Sequence, residues 1–268
     1  MGVKMKIATY NINSVKAHGA DFIDWLKKVS PDIVFLQEIK CETENFLYFE
    51  CESLGYKVAV LGQKSYNGVA ILSKYSFELT SKNLPNFQND DASRYIEVLV
   101  NNKGNKFYVA SVYAPNGCSS DKNIETEKFK YKLEWFDKLY VHIKNIIESG
   151  MPIIIGGDFN VIMEDIDVYD SQKFIGSPLY NNDIHNKIKA LEFMGVYDSF
   201  RILDKNNEGY TFWDYTGNSF VTNSGLRIDY VFTTAYFIEK LKKCYVDKTL
   251  REKNKPSDHT TLLAEFED

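Results

Sequence analysis

The chain has 268 residues, is 44% hydrophobic and 15% aromatic, and carries a formal charge of −5. This composition is typical of a folded core and excludes a largely disordered protein. No apolar run reaches the roughly 20 residues that a membrane helix requires. The acidic balance excludes a surface coated in basic residues, although a local basic groove still fits. We expect a cytoplasmic, monomeric protein with no membrane partner, folded as one domain over residues 1–268.

Short apolar strands alternate with helical patterns along the chain. The predicted elements are a strand at 6–10, a helix at 20–29, a strand at 33–36, a helix at 46–54, strands at 57–60, 68–72, 95–100 and 106–112, a helix at 124–148, a strand at 153–155, a helix at 184–194, and strands at 228–232 and 260–266. The sequence NNKG at 101–104 predicts a hairpin. Hairpins mixed with helical crossovers predict two mixed sheets packed face to face, with helices outside. The polar segment 164–183 is long for a simple loop, which is typical of a functional or a mobile segment.

Polar side chains follow the apolar strands at several points. In PIIIGGDFN, three isoleucines lead through a glycine pair to Asp158 and Asn160. The same change occurs around five other strands, at Asn11 and Asn13, Glu38, Tyr113 and Asn116, Arg227 and Asp229, and Asp258 and His259. One such residue fits ordinary turn chemistry. Six strands with this pattern indicate side chains that meet at one edge of the core.

Convergence of these carboxylates has an electrostatic consequence. Two carboxylates about 4 Å apart repel by roughly 4 kcal/mol at an effective dielectric constant near 20. A cluster of Glu38, Asp158, Asp229 and Asp258 therefore requires a cation or protonation. Oxygen ligands with a single histidine suit Mg²⁺ or Mn²⁺ better than Zn²⁺. Such ions complete their coordination with water and phosphate, so the pattern predicts phosphoester hydrolysis.

Several motifs together carry a family resemblance. TYNIN, FLQEIK, GVAILSK, VYAPN, GGDFNV, LRIDYVF and SDHTTL occur in this order over nearly the whole chain. They resemble the exonuclease III family, the class II apurinic/apyrimidinic endonucleases of the endonuclease/exonuclease/phosphatase superfamily. RIDY, YTFWDY and EDIDVYD are typical of its DNA-repair branch. Ser14 stands where the family commonly has glycine, which removes no ligand.

The resemblance implies a fold and an activity. The fold would be an α/β four-layer sandwich of the DNase I-like type, with two central mixed sheets. The activity would be Mg²⁺-dependent cleavage 5′ to abasic sites, with Mn²⁺ as a substitute ion. The enzyme would add 3′→5′ exonuclease and 3′-phosphodiesterase/phosphatase activities in base excision repair. Its partner would be double-stranded DNA with abasic sites or blocked 3′ ends.

Residue roles also follow from the resemblance. Glu38 would be the principal metal ligand, and Asp158 would orient or deprotonate the attacking water. His259, oriented by Asp229, would contact the scissile phosphate. Tyr113 would donate to the phosphate oxygen that gains charge. The implied metal ligands are Asn11, Glu38, Asp158, Asn160, Asp258 and His259, and the implied catalytic residues are Tyr113, Asp158, Asn160, Asp229 and His259.

An apolar pocket for a base-free deoxyribose is implied as well, because the family lines it with an aromatic pair. From sequence alone, Phe212 and Trp213 fit core aromatics equally well. The predicted substrate contacts are Asn13, Arg94, Asn116, Lys128, Phe212, Trp213, Leu226, Arg227 and Ile228. Some of Lys64, Lys74, Arg94, Lys128 and Lys130 are expected to line a groove that follows the DNA phosphates. A solvated helix flank that includes Lys128 and Lys132 is the alternative.

Two other functions stay open. One is a different phosphoesterase of the superfamily, acting on phosphoinositides, sphingomyelin or a nucleotide. The other is a catalytically weak nucleic-acid-binding regulator on the same scaffold. A degenerate regulator would be expected to lose carboxylates or the histidine, and this chain retains Glu38, Asp158, Asp229 and His259.

Overall fold

The structure is a computed structural model that describes residues 5–87, 90–118 and 126–267. Its strands form two six-stranded sheets. The first sheet, in spatial order, contains β11 (Leu241–Asp247), β12 (Thr261–Phe266), β1 (Met5–Asn11), β2 (Ile33–Gln37), β4 (Val69–Ser73) and β3 (Lys57–Leu61). The second contains β5 (Ser76–Lys82), β6 (Tyr95–Asn102), β7 (Asn105–Tyr113), β8 (Ile153–Asp158), β10 (Asp229–Thr234) and β9 (Val196–Asp198).

Helices cover the outer faces of both sheets. The α-helices are α1 (Val15–Val29), α2 (Tyr48–Ser53), α3 (Glu127–Glu148), α4 (Asn182–Phe193), α5 (Ser199–Leu203) and α6 (Ala235–Ile238). Short 3₁₀ turns lie at Thr43–Asn45, Asp165–Asp167, Ser171–Lys173 and Lys248–Leu250. Within the described ranges, no helix is both long enough and apolar enough to cross a membrane.

The packing confirms the predicted four-layer sandwich. Both sheets are mixed, because β1 pairs with β2 and β7 with β8 in parallel, while the other ladders are antiparallel. The core between the sheets joins Ile7 and Phe35 of the first sheet to Val109 and Ile154 of the second. A second cluster packs α1 on the first sheet, and a third packs α3 and α4 on the second. Burial of apolar area on both faces of each sheet supplies the main stabilising free energy.

The glycine pair of β8 permits a close approach between strands. A Cβ at Gly156 would lie 2.1 Å from the Phe35 ring, and one at Gly157 would lie 1.9 Å from the Val112 carbonyl oxygen. Only glycine fits at both places. The strand therefore runs tightly against β2 and β7 and delivers Asp158 at its end.

Local capping explains where the helices begin. Helix α1 starts at Val15 rather than at the predicted residue 20, because the Ser14 hydroxyl accepts a hydrogen bond from the Ala17 amide at 3.3 Å. Helix α3 begins at Glu127, capped by Thr126. The first residues of the predicted helix, 124–125, lie outside the described part of the chain. The predicted hairpin is confirmed, since Asn102 pairs with Asn105 across Lys103 and Gly104, both with positive φ.

A buried carboxylate links the second sheet to α3. Glu97 on β6 is 2% exposed and accepts hydrogen bonds from Thr80 (2.7 Å) and Tyr95 (2.6 Å), and its carboxylate lies 2.7 Å from His142 Nε2. Burial alone would raise the pKa of Glu97, but the bonds from His142, Tyr95 and Thr80 outweigh it and lower the pKa. The ionised carboxylate is therefore the form that stabilises the fold.

Glu97→Gln is expected to lower the free energy of unfolding by about 1–3 kcal/mol at pH 7. Because the pKa of Glu97 is lowered by folding, this contribution is present above the unfolded-chain value of about 4.3 and is lost as the pH falls towards the folded value. The deficit of the variant should therefore shrink between pH 7 and pH 3. Urea titrations of both proteins measure it, and a deficit that grows in acid would contradict the assignment.

Candidate active site

The predicted polar residues meet at one end of the sandwich. Asn11 ends β1, Glu38 follows β2, and Asp158 ends β8, where it pairs with Asp229 at the start of β10. His259 lies just before β12. Parallel pairing of β1 with β2, and of β7 with β8, brings their carboxyl ends to the same edge. Residues up to 248 positions apart in the sequence thus share one cluster.

Asn11 bridges the two central carboxylates. Its side-chain amide donates to Glu38 Oε1 at 2.8 Å and to Asp158 Oδ2 at 2.9 Å. Glu38, with φ +49°, also pairs with Lys40 through Oε2 at 2.8 Å. Burial alone would raise the pKa of Glu38, but the bonds from Asn11 and Lys40 outweigh it and lower the pKa. Glu38 is therefore an ionised ligand with a fixed orientation.

His259 stands between two aspartates. Its Nδ1 donates to Asp229 Oδ2 at 2.8 Å, and its Nε2 lies 3.7 Å from Asp158 Oδ2. Burial alone would lower the pKa of His259, but the charges of Asp229, Asp158 and Asp258 raise it to about 10. The ring is thus an imidazolium whose Nε2–H faces Asp158. The distance of 3.7 Å between Nε2 and Asp158 is too long for a hydrogen bond. The Nε2–H group is therefore available to donate to a phosphate oxygen.

The pKa of Asp158 is raised as well, but by a different cause. Burial and the nearby carboxylates of Asp229 and Glu38 raise its pKa to about 7, against the lowering effect of His259. A divalent cation beside Glu38 would favour the ionised form. At neutral pH the group is therefore able to accept a proton, as a general base requires.

Asn160 and Tyr113 complete the polar wall. The Asn160 backbone amide donates to Asp158 Oδ1 at 2.9 Å, and its side chain donates to the Ala114 carbonyl at 3.0 Å. Burial raises the pKa of Tyr113 well above its usual value, with the charges of Glu38 and Asp158 adding to the effect. Tyr113 is therefore a neutral donor, and the Arg94 guanidinium lies 4.7 Å from its ring centre.

The donor set fits a hard divalent ion. A carboxylate oxygen of Glu38, one of Asp158 and a ring nitrogen of His259 lie within 4.8 Å of one another. The protonated His259 has no lone pair to offer, so the two carboxylates are the ligands and the ligand role predicted for His259 does not fit. Each carboxylate has about four lone-pair sites. The bonds described above use two of them on Glu38 and two on Asp158. Tyr113 takes a further site on Glu38, and the sites that remain on the two carboxylates can bind a cation, for which oxygen donors favour Mg²⁺ or Mn²⁺. Asp258 lies outside this group and accepts from Asn13 at 2.9 Å.

A cavity of about 720 Å³ opens over this cluster. Its polar wall includes Glu38, Tyr113, Asn116, Asp158, Asn160, Asp258 and His259. Its apolar wall includes Tyr169, Phe174, Leu179, Phe212, Leu226 and Ile228. The Phe212 ring lies 5.0 Å from that of His259, so the two walls meet at this contact. A ligand with a charged end and an apolar body fits such a site.

Comparison with known proteins identifies the family. The model of the Endonuclease/Exonuclease/phosphatase family matches residues 8–259, nearly the whole chain. The chain belongs to this family. Exodeoxyribonuclease III of Haemophilus influenzae is 29% identical over 269 residues, which cover 98% of this chain and 100% of that protein.

Solved structures agree with this assignment. The 3′ phosphatase NExo from Neisseria, bound to a product DNA hairpin, is 31% identical with a TM-score of 0.93, and the match covers 99% of this chain and 100% of that one. An AP endonuclease from Archaeoglobus fulgidus is 32% identical with a TM-score of 0.90 and the same coverage. This member of the endonuclease/exonuclease/phosphatase family therefore lies in its exonuclease III branch and is a nuclease.

Two predicted substrate contacts of this exonuclease III family member are corrected. Trp213 is fully buried, packs against Phe220, and does not line the cavity. Arg227 is also fully buried, and its guanidinium pairs with Asp167 at 2.7 Å and Asp198 at 2.6 Å. Three N–H groups of the guanidinium bond these carboxylates, and Arg227 does not line the cavity. Arg227 instead anchors the segment 164–183 to the body of the protein.

The predicted basic residues separate into distinct groups. Lys74 donates to Ser30 at the end of the first sheet opposite Glu38, because Ile33 pairs with Ser73 there while Gln37 pairs with Val69. It cannot line a groove at the site. Lys64 and Lys128 are exposed. Lys132, expected on a solvated flank, is fully buried, and burial lowers its pKa to about 7.

The structure also supplies cavity residues that no prediction named. Tyr169, Phe174 and Leu179 come from the segment 164–183, which was predicted only to be functional or mobile. Lys173 joins them at the rim, with its ammonium 4.9 Å from the Tyr169 ring. Lys40 was not predicted either. It stands two residues after Glu38 in the motif FLQEIK, and this closeness to an acidic ligand was the signal that could have identified it.

Phe212→Ala is expected to impair activity, whereas Trp213→Ala is expected to impair stability. Phe212→Ala should lower kcat/KM on an abasic duplex by about 10–100-fold, because it removes an apolar wall worth roughly 1–3 kcal/mol. Its thermal stability should change little. Trp213→Ala should instead lower the free energy of unfolding by about 3–5 kcal/mol. Thermal melts and steady-state kinetics measure both effects. A folded Trp213→Ala enzyme that loses more kcat/KM than Phe212→Ala would show that Trp213 contributes to the substrate pocket.

Proposed function

We propose that this protein is a Mg²⁺-dependent DNA-repair nuclease that cleaves the phosphodiester 5′ to abasic sites. It also removes 3′-phosphates and nucleotides from 3′ ends of double-stranded DNA, and it acts in base excision repair as a monomer. One observation carries the proposal. A single cavity combines the cluster of Glu38, Asp158 and His259 with the apolar wall of Phe212 and Leu226.

The apolar wall supports selection of a base-free sugar. Phe212, Leu226 and Ile228 offer no hydrogen-bonding side-chain group for a base edge, and they suit the ring of a deoxyribose. Extruding a nucleotide costs less where stacking is already lost. Two structural relatives, an AP endonuclease and a 3′ phosphatase bound to product DNA, support the same substrate class.

The side chains divide the hydrolytic work. Asp158, with its raised pKa, takes a proton from the attacking water, and the Asn160 amide holds its carboxylate in place. His259 donates from Nε2 to a phosphate oxygen, with Asp229 fixing the ring. Tyr113, kept neutral by burial, donates to the oxygen that gains charge. Mg²⁺ held by Glu38 would neutralise charge on the phosphate, while the Asn11 amide, which donates to both Glu38 and Asp158, would keep the two carboxylates in place.

A gel assay tests the proposal. Purified protein is incubated with an abasic duplex, an intact duplex and a duplex with a 3′-phosphate, each with Mg²⁺ and with a chelator. Incision of the abasic strand and release of the 3′-phosphate, both abolished by the chelator, are expected. Inositol phosphates serve as the competing substrate class, and their preferred hydrolysis would contradict the proposal. Binding of DNA without any cleavage would instead favour the regulator.

A further inference from the structure

A buried lysine contacts three loops around the cavity. Lys132 on α3 is fully buried. Its ammonium group donates to the backbone carbonyls of Asn160 at 2.7 Å, Pro178 at 2.8 Å and Asn116 at 3.2 Å. A lysine ammonium has three N–H donors, so each carbonyl takes one of them, and these three acceptors favour the charged form against the burial that lowers the pKa of Lys132. The group is saturated by backbone acceptors alone.

The three carbonyls belong to segments that build different parts of the site. Asn116 follows β7 and Asn160 follows β8, and both residues line the polar wall. Pro178 precedes Leu179 of the apolar wall. One cation therefore ties the loops of the catalytic wall to the segment 164–183. The loop after β7 also lies directly on the lysine stem, since a Cβ at Gly117 would come 2.9 Å from Lys132 Cδ.

Asn160 is where this tie reaches the catalytic carboxylate. The residue has φ +51°, a left-handed conformation that asparagine tolerates better than most residues. Its amide N–H holds Asp158 Oδ1, its side chain holds the Ala114 carbonyl, and its own carbonyl accepts from Lys132. If the carbonyl loses its partner, the backbone at Asn160 can shift, and the N–H of the preceding peptide, which holds Asp158, can shift with it.

We infer that Lys132 is a positioning residue for the proposed reaction, holding three loops in the arrangement that orients Asp158 and joins the two walls of the cavity. The inference rests on the proposed function. An apolar side chain of similar length could fill the space, so packing alone does not require an ammonium group there. The ammonium is required because the buried carbonyls of Asn160 and Pro178 need donors, and its third N–H group holds the more exposed carbonyl of Asn116.

Lys132→Met tests this role, because it keeps the length of the side chain and removes all three donors. We expect kcat on an abasic duplex to fall about 100-fold, since small displacements of reacting groups cost this much. The Kd for the duplex, measured with chelator present, should stay within twofold. Leu139→Ala is the matched control: it opens a cavity on the same buried face of α3, and a leucine side chain donates no hydrogen bond to the loop carbonyls. It should lower the melting temperature and leave kcat unchanged below the melt.

Hydrogen exchange gives a readout that needs no activity. Amides in 116–118, 158–161 and 177–179 should exchange at least tenfold faster in Lys132→Met than in wild type, and not in Leu139→Ala. Lys132→Gln, which keeps two N–H donors, should be intermediate in kcat and exchange, and it replaces the methionine variant if that does not fold.

The outcomes separate the two proposals. Wild-type protein that does not cleave abasic DNA contradicts the proposed function, while the exchange data still decide the role of Lys132. Unchanged exchange in the three loops overturns that role. So does a kcat loss that is equal in Lys132→Met and Leu139→Ala, because the lysine would then act only through overall stability.

Discussion

His259→Ala is expected to lower kcat on an abasic duplex by about 10²–10⁴-fold, the range typical of a lost proton donor. The imidazolium is held by Asp229 at 2.8 Å, and its Nε2 faces Asp158 across a gap of 3.7 Å. Alanine removes the donor to the phosphate oxygen and leaves Asp229 buried without its partner. DNA affinity in the presence of chelator should change little, because this contact matters most in the transition state.

Two further variants sharpen this test. Asp229→Asn keeps the shape but weakens the charge that raises the pKa of His259, so its kcat should fall less than that of His259→Ala. Combining both changes should cost little more than His259→Ala alone, since the residues act as one unit. His185→Ala, whose ring meets the Ile162 carbonyl and not the carboxylate cluster, should keep normal kcat. Near-normal turnover of His259→Ala would remove the histidine from the reaction.

Glu38→Ala is expected to lower kcat by about 10³-fold at Mg²⁺ concentrations that saturate the wild type. A bound divalent ion contributes several kcal/mol of charge stabilisation, and about 4 kcal/mol corresponds to this factor. The variant also leaves Lys40 without its carboxylate partner, which places a second positive charge where the ion would bind. Raising the Mn²⁺ concentration should restore part of the rate. Steady-state kinetics over a titration of each metal measure both effects.

The control for Glu38→Ala is Glu44→Ala, an exposed carboxylate on the adjacent 3₁₀ turn. It removes the same charge from the same region without touching the cluster, so its metal dependence should match the wild type. A Glu38→Ala protein with normal turnover and normal metal dependence would mean that the ion binds elsewhere. An equal loss of kcat in both variants would mean that Glu38 acts only through its negative charge and not as a metal ligand.

Sequence patterns predicted the strands that carry the site, because a buried strand that ends on a carboxylate can be recognised from a few consecutive residues. The runs before Asn11, Glu38 and Asp158 are apolar, and each turns polar at the strand end. The strands β5, β9 and β11 were missed, and all three lie at sheet edges. An edge strand faces solvent and carries polar residues such as Lys242 and Lys243, so its apolar pattern is weak.

Residue type misled where long-range partners decide the environment. Lys132 and Arg227 resemble solvated or DNA-facing cations, but both are buried. Arg227 pairs with aspartates 60 and 29 positions away in the sequence. The partners of Lys132 are backbone carbonyls, which no sequence pattern distinguishes. For Trp213, two equally good interpretations existed, and only the packing against Phe220 separates a core ring from a pocket wall.

The most direct test of the central claim is anomalous diffraction from crystals soaked in Mn²⁺. The acidic and amide residues from both ends of the chain are expected to hold one divalent ion, so a peak should lie within coordination distance of the Glu38 carboxylate and close to Asp158. Crystals of Glu38→Ala, soaked in the same way, should lose it. A peak remote from Glu38, or none at the cluster in well-ordered wild-type crystals, would contradict the account.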